Sequence, residues 1–228
     1  MTVFTIKNLS VGNSKEGYIA EDAGSFATAR SATIGDTLYL GSGNTVCKAR
    51  TTARNVGGFD DYTISRAFLS FIVGDISIPA GEAVSAVRLG INVTSSKFHD
   101  GDNRVYLKTS TLADDPLTVF DYNNGGTLVG SIEDGIGGQF DYFYFNAAGI
   151  AYIQTKIDAA GGTTWPTGYA QFRIQSYLDY ENVQPEYDGD FGITFYNSWN
   201  GTAEQPVLEI TTEASESLVF KPQISVFS

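Results

Sequence analysis

Cysteine, histidine and methionine each occur once in the 228 residues, as Cys47, His99 and Met1. A lone cysteine excludes an intrachain disulfide and a thiolate zinc cage. A lone histidine removes most metal triads and makes any hydrolase triad depend on His99. Basic residues are also scarce, 14 against 26 acidic ones, so the net charge is −12. Phosphate backbones demand basic surface, and nucleic acid is therefore not an expected partner. No stretch approaches the ~20 apolar residues of a membrane-crossing helix, so membrane insertion is not expected either. The start, Met1-Thr-Val-Phe-Thr-Ile-Lys-Asn-Leu-Ser10, lacks the basic opening, apolar run and small-residue cleavage site of a secretory signal. Without disulfides or a leader, the expectation is a chain made and kept in a reducing cytosol.

What is present is apolar (42%), aromatic (13%) and rich in glycine, with 25 residues. Many β-branched and aromatic residues between glycine turns point to short strands, hence an all-β domain. In Val87-Arg-Leu-Gly-Ile-Asn-Val-Thr94, apolar and polar positions alternate, the period of a strand with one buried face. Arg66–Val73 is nearly continuous in apolar residues, as a central strand is. Between them, Pro79 presets φ and Gly81 takes φ > 0 in a turn. Further strands are expected at Thr2–Lys7, Thr37–Leu40, Arg104–Ser110, Thr127–Ile132, Asp141–Phe145, Tyr169–Tyr177, Gly192–Tyr196 and Val207–Thr211. Within Tyr169–Tyr177, Phe172 and Ile174 should face in and Arg173 and Gln175 out. One helix is expected, Asn146–Asp158, with Asn146 as N-cap and Ile150, Ile153 and Ile157 on one face. The expected architecture is a jelly-roll-like β-sandwich of two antiparallel sheets with one short helix. Residues 1–15 read as an N-terminal interaction arm, 16–211 as the sandwich and 212–228 as a C-terminal interaction tail. That tail carries Leu218, Phe220, Ile224 and Phe227, an apolar β-prone set that reads as an interaction strand for assembly, with a last strand of the same domain as the alternative.

Several segments come in an order that resembles a known family. They are Glu16-Gly-Tyr-Ile19, Ala27-Thr-Ala-Arg30, Arg66-Ala-Phe-Leu-Ser-Phe71, Ile78-Pro-Ala-Gly81, Ala86-Val-Arg-Leu89, Asp114-Asp-Pro-Leu117, Phe145-Asn-Ala-Ala-Gly-Ile150 and Pro206-Val-Leu-Glu-Ile210. The series is similar to the DNRLRE-type, carbohydrate-binding-module-like β-sandwiches of phage virion proteins and bacterial surface proteins. The resemblance covers residues 16–211 and implies a jelly-roll-like fold with a non-catalytic, displayed or glycan-contacting role. It carries over no binding site.

The chemistry-bearing residues give few specific signals. His99 lies in Phe98-His-Asp-Gly-Asp-Asn-Arg104, a loop by its composition, and no Gly-x-Ser-x-Gly elbow accompanies it. Cys47 reads as a half-buried strand residue. Two acidic clusters have the oxygen-rich composition that Ca²⁺ takes. Asp100 and Asp102 stand in one, Asp188 and Asp190 in the other, and solvated loops are the alternative reading of both. The second cluster also holds aromatics. Tyr177, Tyr180, Tyr187, Tyr196 and Trp199 are the glycan-contact candidates, because sugars stack on exposed rings while neighbouring acids take their hydroxyls; packing with wet polar tips is the alternative. The functional expectation is a non-enzymatic structural or adhesive virion protein, a capsid decoration or a tail or fibre component. It would need no cofactor beyond a structural Ca²⁺, and would assemble with itself and other virion proteins. A carbohydrate-binding module of a bacterial surface protein is the alternative.

Overall fold

The computed structural model describes residues 1–7, 16–40, 46–98, 104–112, 117–133, 140–159, 165–186, 188–197 and 204–215. They form twelve strands and three short helices. The order is β1 (Thr2–Lys7), β2 (Gly17–Ala23), α1 (Phe26–Ser31), β3 (Thr37–Leu40), β4 (Val46–Val56), β5 (Phe59–Ile72), β6 (Glu82–Lys97), β7 (Val105–Thr109) and β8 (Leu128–Ile132). Then follow β9 (Phe140–Phe145), α2 (Ala147–Asp158), β10 (Tyr169–Ser176), α3 (Tyr177–Glu181), β11 (Gly189–Tyr196) and β12 (Val207–Ala214).

Local chemistry sets the corners. Gly57 and Gly58 sit at φ 65° and 87° between Val56 and Phe59, the two-residue turn that matches strand twist in a hairpin. Gly81, at φ 82°, closes the Pro79 turn, and the Glu82 amide donates to the Pro79 carbonyl.

All pairings are antiparallel, in the order β1-β12-β6-β11-β4-β5-β10-β7-β8-β9, with β2 pairing with β5 and β3 with the other edge of β2. The two longest strands turn from one layer to the other. The first half of β5 pairs with β4 and its second half with β10. β6 pairs with β12, β11 and β9. The result is the expected all-β, sandwich-like class, but the strands hydrogen-bond into one continuous twelve-stranded sheet that runs round both corners, rather than into two sheets. Between the layers lies an apolar core that includes Leu69, Phe71, Leu89, Ile91, Leu107, Phe143, Phe172, Ile174, Ile193, Phe195, Leu208 and Ile210, each fully buried. A side chain of this size stabilises by about 1.5–3 kcal/mol when it leaves water. α2 closes this core with Ile153 and Ile157, and Asn146 caps it by accepting from the Gly149 amide at 3.0 Å.

Three further expectations need correction. The described residues hold three helices rather than one. α1 and α3 are too short to show a 3.6-residue period, and both depend on serine caps, Ser25 and Ser176, and on packing. Tyr177 therefore begins a helix and does not end a strand. Arg173 and Gln175 do face away from the inter-layer core, yet both are buried, because a second layer covers them. The final strand reaches Ala214, so residues 212–214 belong to the sheet. β1 is the strand beside it, paired through six residues from Thr2↔Thr212 to Lys7↔Val207. Leu218, Phe220, Ile224 and Phe227 lie outside the described residues.

Candidate functional site

The sheet portion β3-β2-β5-β4-β11 has one covered face and one open face. Its covered face carries Ile19, Ala53, Tyr62, Ile64 and Phe68. Against these pack Phe26 and Ala29 of α1, together with Leu112, Leu117 and Tyr122. Polar residues complete this second layer. Arg66 of β5 grips Asp179 of α3 with two nitrogens, at 2.8 and 2.7 Å, and both side chains are almost wholly buried. Gln175 donates to Asp179 at 2.6 Å and accepts from Arg173 at 2.8 Å. The Arg66 guanidinium lies 4.2 Å from the Tyr122 ring centre, and Arg30 donates to the Asp179 carbonyl at 2.7 Å. Burial pushes the Asp179 carboxyl up, but the charge and hydrogen bonds of Arg66, with Gln175, outweigh it and leave the group below its ordinary range. For Arg173 burial wins, reinforced by the charge of Arg66, and its pKa falls to about 10. This cluster ties α1 and α3 to the sheet.

The open face is different. Tyr18, Ala20 and Asp22 of β2, Thr37 and Tyr39 of β3, Thr63 and Ser65 of β5, Lys48, Arg50, Thr52 and Arg54 of β4 and Asp190 of β11 line a groove of about 240 Å³. Register puts these residues together: Arg50↔Ser65, Thr52↔Thr63, Ala20↔Ser65 and Asp190↔Thr52 are cross-strand partners with side chains on one face. Arg50 crosses β11 at Gly192, its cross-strand partner, and reaches β6 beyond it. Its Nε donates to Thr194 Oγ1 at 2.8 Å, Nη1 to Asp190 Oδ2 at 2.8 Å and Nη2 to Ser95 Oγ at 2.6 Å. Gly192 is required there. It adopts φ 122°, and a Cβ would sit 2.2 Å from the Ala49 carbonyl oxygen.

Both groove carboxylates are held by their own sheet. The second oxygen of Asp190 accepts from Thr52 at 2.9 Å, and Asp22 accepts from Thr63. At the far wall Tyr39 stacks on Tyr18, rings 4.4 Å apart and 12° from parallel, and Lys48 lies 5.5 Å from the Tyr18 ring centre. Tyr18 is buried, and that burial raises its phenol pKa. Tyr39 keeps about a third of its surface exposed. The groove thus combines an accessible aromatic ring, fixed hydroxyls, guanidinium donors and carboxylate acceptors.

The sequence-derived candidates lie mostly elsewhere. Tyr177 and Tyr180 are on α3, half-buried: Tyr180 stacks on Tyr106 at 4.0 Å, and Arg104 lies 5.0 Å from the Tyr177 ring. Tyr196 is half-buried at the end of β11. Asp188 is exposed, whereas Asp190 belongs to the groove as the partner of Arg50. Tyr187, Trp199, Asp100, Asp102 and His99 lie outside the described residues. Among the described residues no three His, Cys, Asp or Glu side chains come together as a metal cluster. Cys47 is completely buried in β4, and burial, with the charge of Glu16, holds its thiol well above the usual range. Sequence reasoning missed Tyr18, Tyr39, Lys48, Arg50 and Arg54. A usable signal stood in β4, where the small residues Cys47, Ala49, Thr51 and Ala53 alternate with Lys48, Arg50, Thr52 and Arg54. No protein-family model and no curated protein sequence matches the chain.

Proposed function

We propose that this chain is a non-enzymatic structural or adhesive module of a virion, which contacts hydroxyl-rich glycans through the groove on its open sheet face. The supporting observation is the groove lining, where a stacked tyrosine pair stands beside threonine, serine, arginine and aspartate side chains already fixed by one another. Recognition of a sugar needs an aromatic face for its apolar side and oriented donors and acceptors for its hydroxyls. Preorganised polar groups spare the ligand the cost of ordering them. Asp22 and Asp190 act here as held acceptors, consistent with binding rather than turnover. The display setting, and assembly with copies of itself and other particle proteins, follow from the resemblance of residues 16–211 to virion and bacterial surface sandwiches.

The test is binding of the purified chain to an immobilised glycan array, repeated with Tyr39→Ala and Arg54→Ala. Both side chains are accessible and line the groove without supporting the core. A hydrogen bond to a charged group contributes about 1.5–3 kcal/mol, so Arg54→Ala should weaken binding ~10–100-fold, and Tyr39→Ala, which removes the stacking face, should weaken it as well, both at unchanged melting temperature. No glycan bound by the wild type, or binding by both variants equal to that of the wild type, would remove the reading.

A further inference from the structure

A second surface on the molecule has the makings of a site and takes no part in the groove. It lies on the outer side of β1, β12, β6 and β9. The even-numbered residues of β9, Phe140, Tyr142 and Tyr144, point outward while Phe143 and Phe145 enter the core. Neighbouring rings of this row are 6.3 Å apart and tilted by 34° and 40°. That spacing is close to the side-chain repeat of about 6.6–6.8 Å along one face of a strand, so the row follows the backbone beneath it.

The rings lie down on β6 because Gly90 has no side chain. Gly90 is the cross-strand partner of Tyr142, and a Cβ there would come within 2.8 Å of the Tyr142 ring and 3.1 Å of the Phe140 ring. Arg88 fixes the next position. Its guanidinium sits 4.3 Å from the Tyr142 ring centre and donates from Nε to Glu209 Oε2 at 2.6 Å. The hydrogen bond and charge of Glu209 raise the Arg88 pKa. Beyond this pair opens a cavity of about 270 Å³ lined by Val3, Ala86, Val87, Arg88, Tyr144, Glu209 and Thr211. Tyr144 is 66% exposed at its mouth and Val3 50%. The polar members, an arginine and a glutamate already neutralised by each other, favour an uncharged ligand with hydroxyls. The row of ring faces favours an extended one.

We propose that Phe140 and Tyr142, laid on Gly90, and Tyr144, beside the Arg88–Glu209 pair, form a second glycan contact that takes an extended, neutral polysaccharide chain. It is independent of the groove, since the two surfaces share no lining residue. The inference extends the glycan reading to a different part of the fold, and the variants separate the two.

The experiment is affinity gel electrophoresis of the full chain through xylan, mixed-linkage β-glucan and mannan, with four proteins: wild type, Tyr144→Ala, Gly90→Val and the groove variant Tyr39→Ala. Gly90→Val lifts the rings from β6, and circular dichroism and thermal melting establish that it folds. Tyr144→Ala removes an exposed ring and keeps the proposal testable should Gly90→Val fail to fold. The expected result is retardation of the wild type in at least one gel, weakened ~10-fold or more in Tyr144→Ala and retained in Tyr39→Ala. If Tyr144→Ala is retarded like the wild type, the aromatic row is not a contact, and loss in Tyr39→Ala alone leaves the groove as the site. Retardation of wild type in none of the three gels also overturns the proposal, while charged or short glycans on the array can still support the groove.

Discussion

The sheet portion built from β2, β5, β4 and β11 carries an arginine–aspartate pair on each of its faces. On the covered face Arg66 and Asp179 meet at 2.7 Å, with 2% and 0% of their side-chain surfaces exposed. On the open face Arg50 and Asp190 meet at 2.8 Å, with 9% and 50% exposed. The chemistry is the same and the surroundings are opposite. Beneath α1 and α3 the pair has no water to fall back on, so each charge depends on the other and on Gln175, Tyr122 and Arg30. In the groove, Asp190 stays half in solvent and is available to a ligand hydroxyl. Burial turns one pair into a fastening for two helices and leaves the other as a contact surface.

The largest effect that tests this contrast is Asp179→Ala. It strands Arg66, with Arg173 nearby, in a buried site, and breaking such a pair costs about 3–5 kcal/mol. The matching change on the open face, Asp190→Ala, should cost less, because Asp190 is half in solvent and Arg50 keeps Thr194 and Ser95 as partners. Urea unfolding of both variants measures the difference, and equal losses would break the comparison. Replacing both partners, as Arg66→Met with Asp179→Leu, should cost less than Asp179→Ala alone, because the Arg66 guanidinium is no longer left without its carboxylate.

Acid sharpens the same contrast. Asp179 has a folded-state pKa below its unfolded value, so its contribution is fully present above the ordinary carboxylate range and is lost as pH falls through the depressed folded value. Acid unfolding of the wild type should therefore be steeper than that of the Arg66→Met/Asp179→Leu protein, as followed by far-ultraviolet circular dichroism.

A smaller effect lies at alkaline pH. Burial raises the phenols of Tyr18 and Tyr122, and that of Tyr152 to about 12. Folding favours their neutral forms, so the stability they contribute is present below the unfolded value near 10 and declines above it. Ultraviolet titration should show these three phenols ionising only as the chain unfolds.

The covered and open faces also differ in how far the sequence discloses them. The inter-layer core is written as alternation: Val87, Leu89, Ile91 and Val93 of β6 all turn inward. Arg66–Val73 reads as a central strand because both its faces are buried, Leu69 and Phe71 between the layers and Phe68 under α1. The covering layer is not written that way. Arg173 and Gln175 follow the outward half of a strand period, and only contact with Asp179, Tyr122 and the helices makes them interior. The groove is the least legible part, since β2 and β4 were not among the expected strands. Alanine carries a weak strand signal, and the buried side of β4 is made of small residues with no large apolar side chain to mark the alternation. The aromatic candidates near Tyr177 were read by composition, and composition does not distinguish a ring packed on α3 from one standing in a groove.

The central claim is that the open face of this sheet, not its covered face, meets the ligand. Chemical-shift mapping of the isotope-labelled chain, titrated with a glycan retained on the array, tests it most directly. The account predicts perturbed backbone amides at residues 18–22, 37–39, 48–54, 63–65 and 190, with α1 and α3 unmoved. Perturbations confined to α1, α3 and residues 117–122, with the groove amides unchanged, would contradict it.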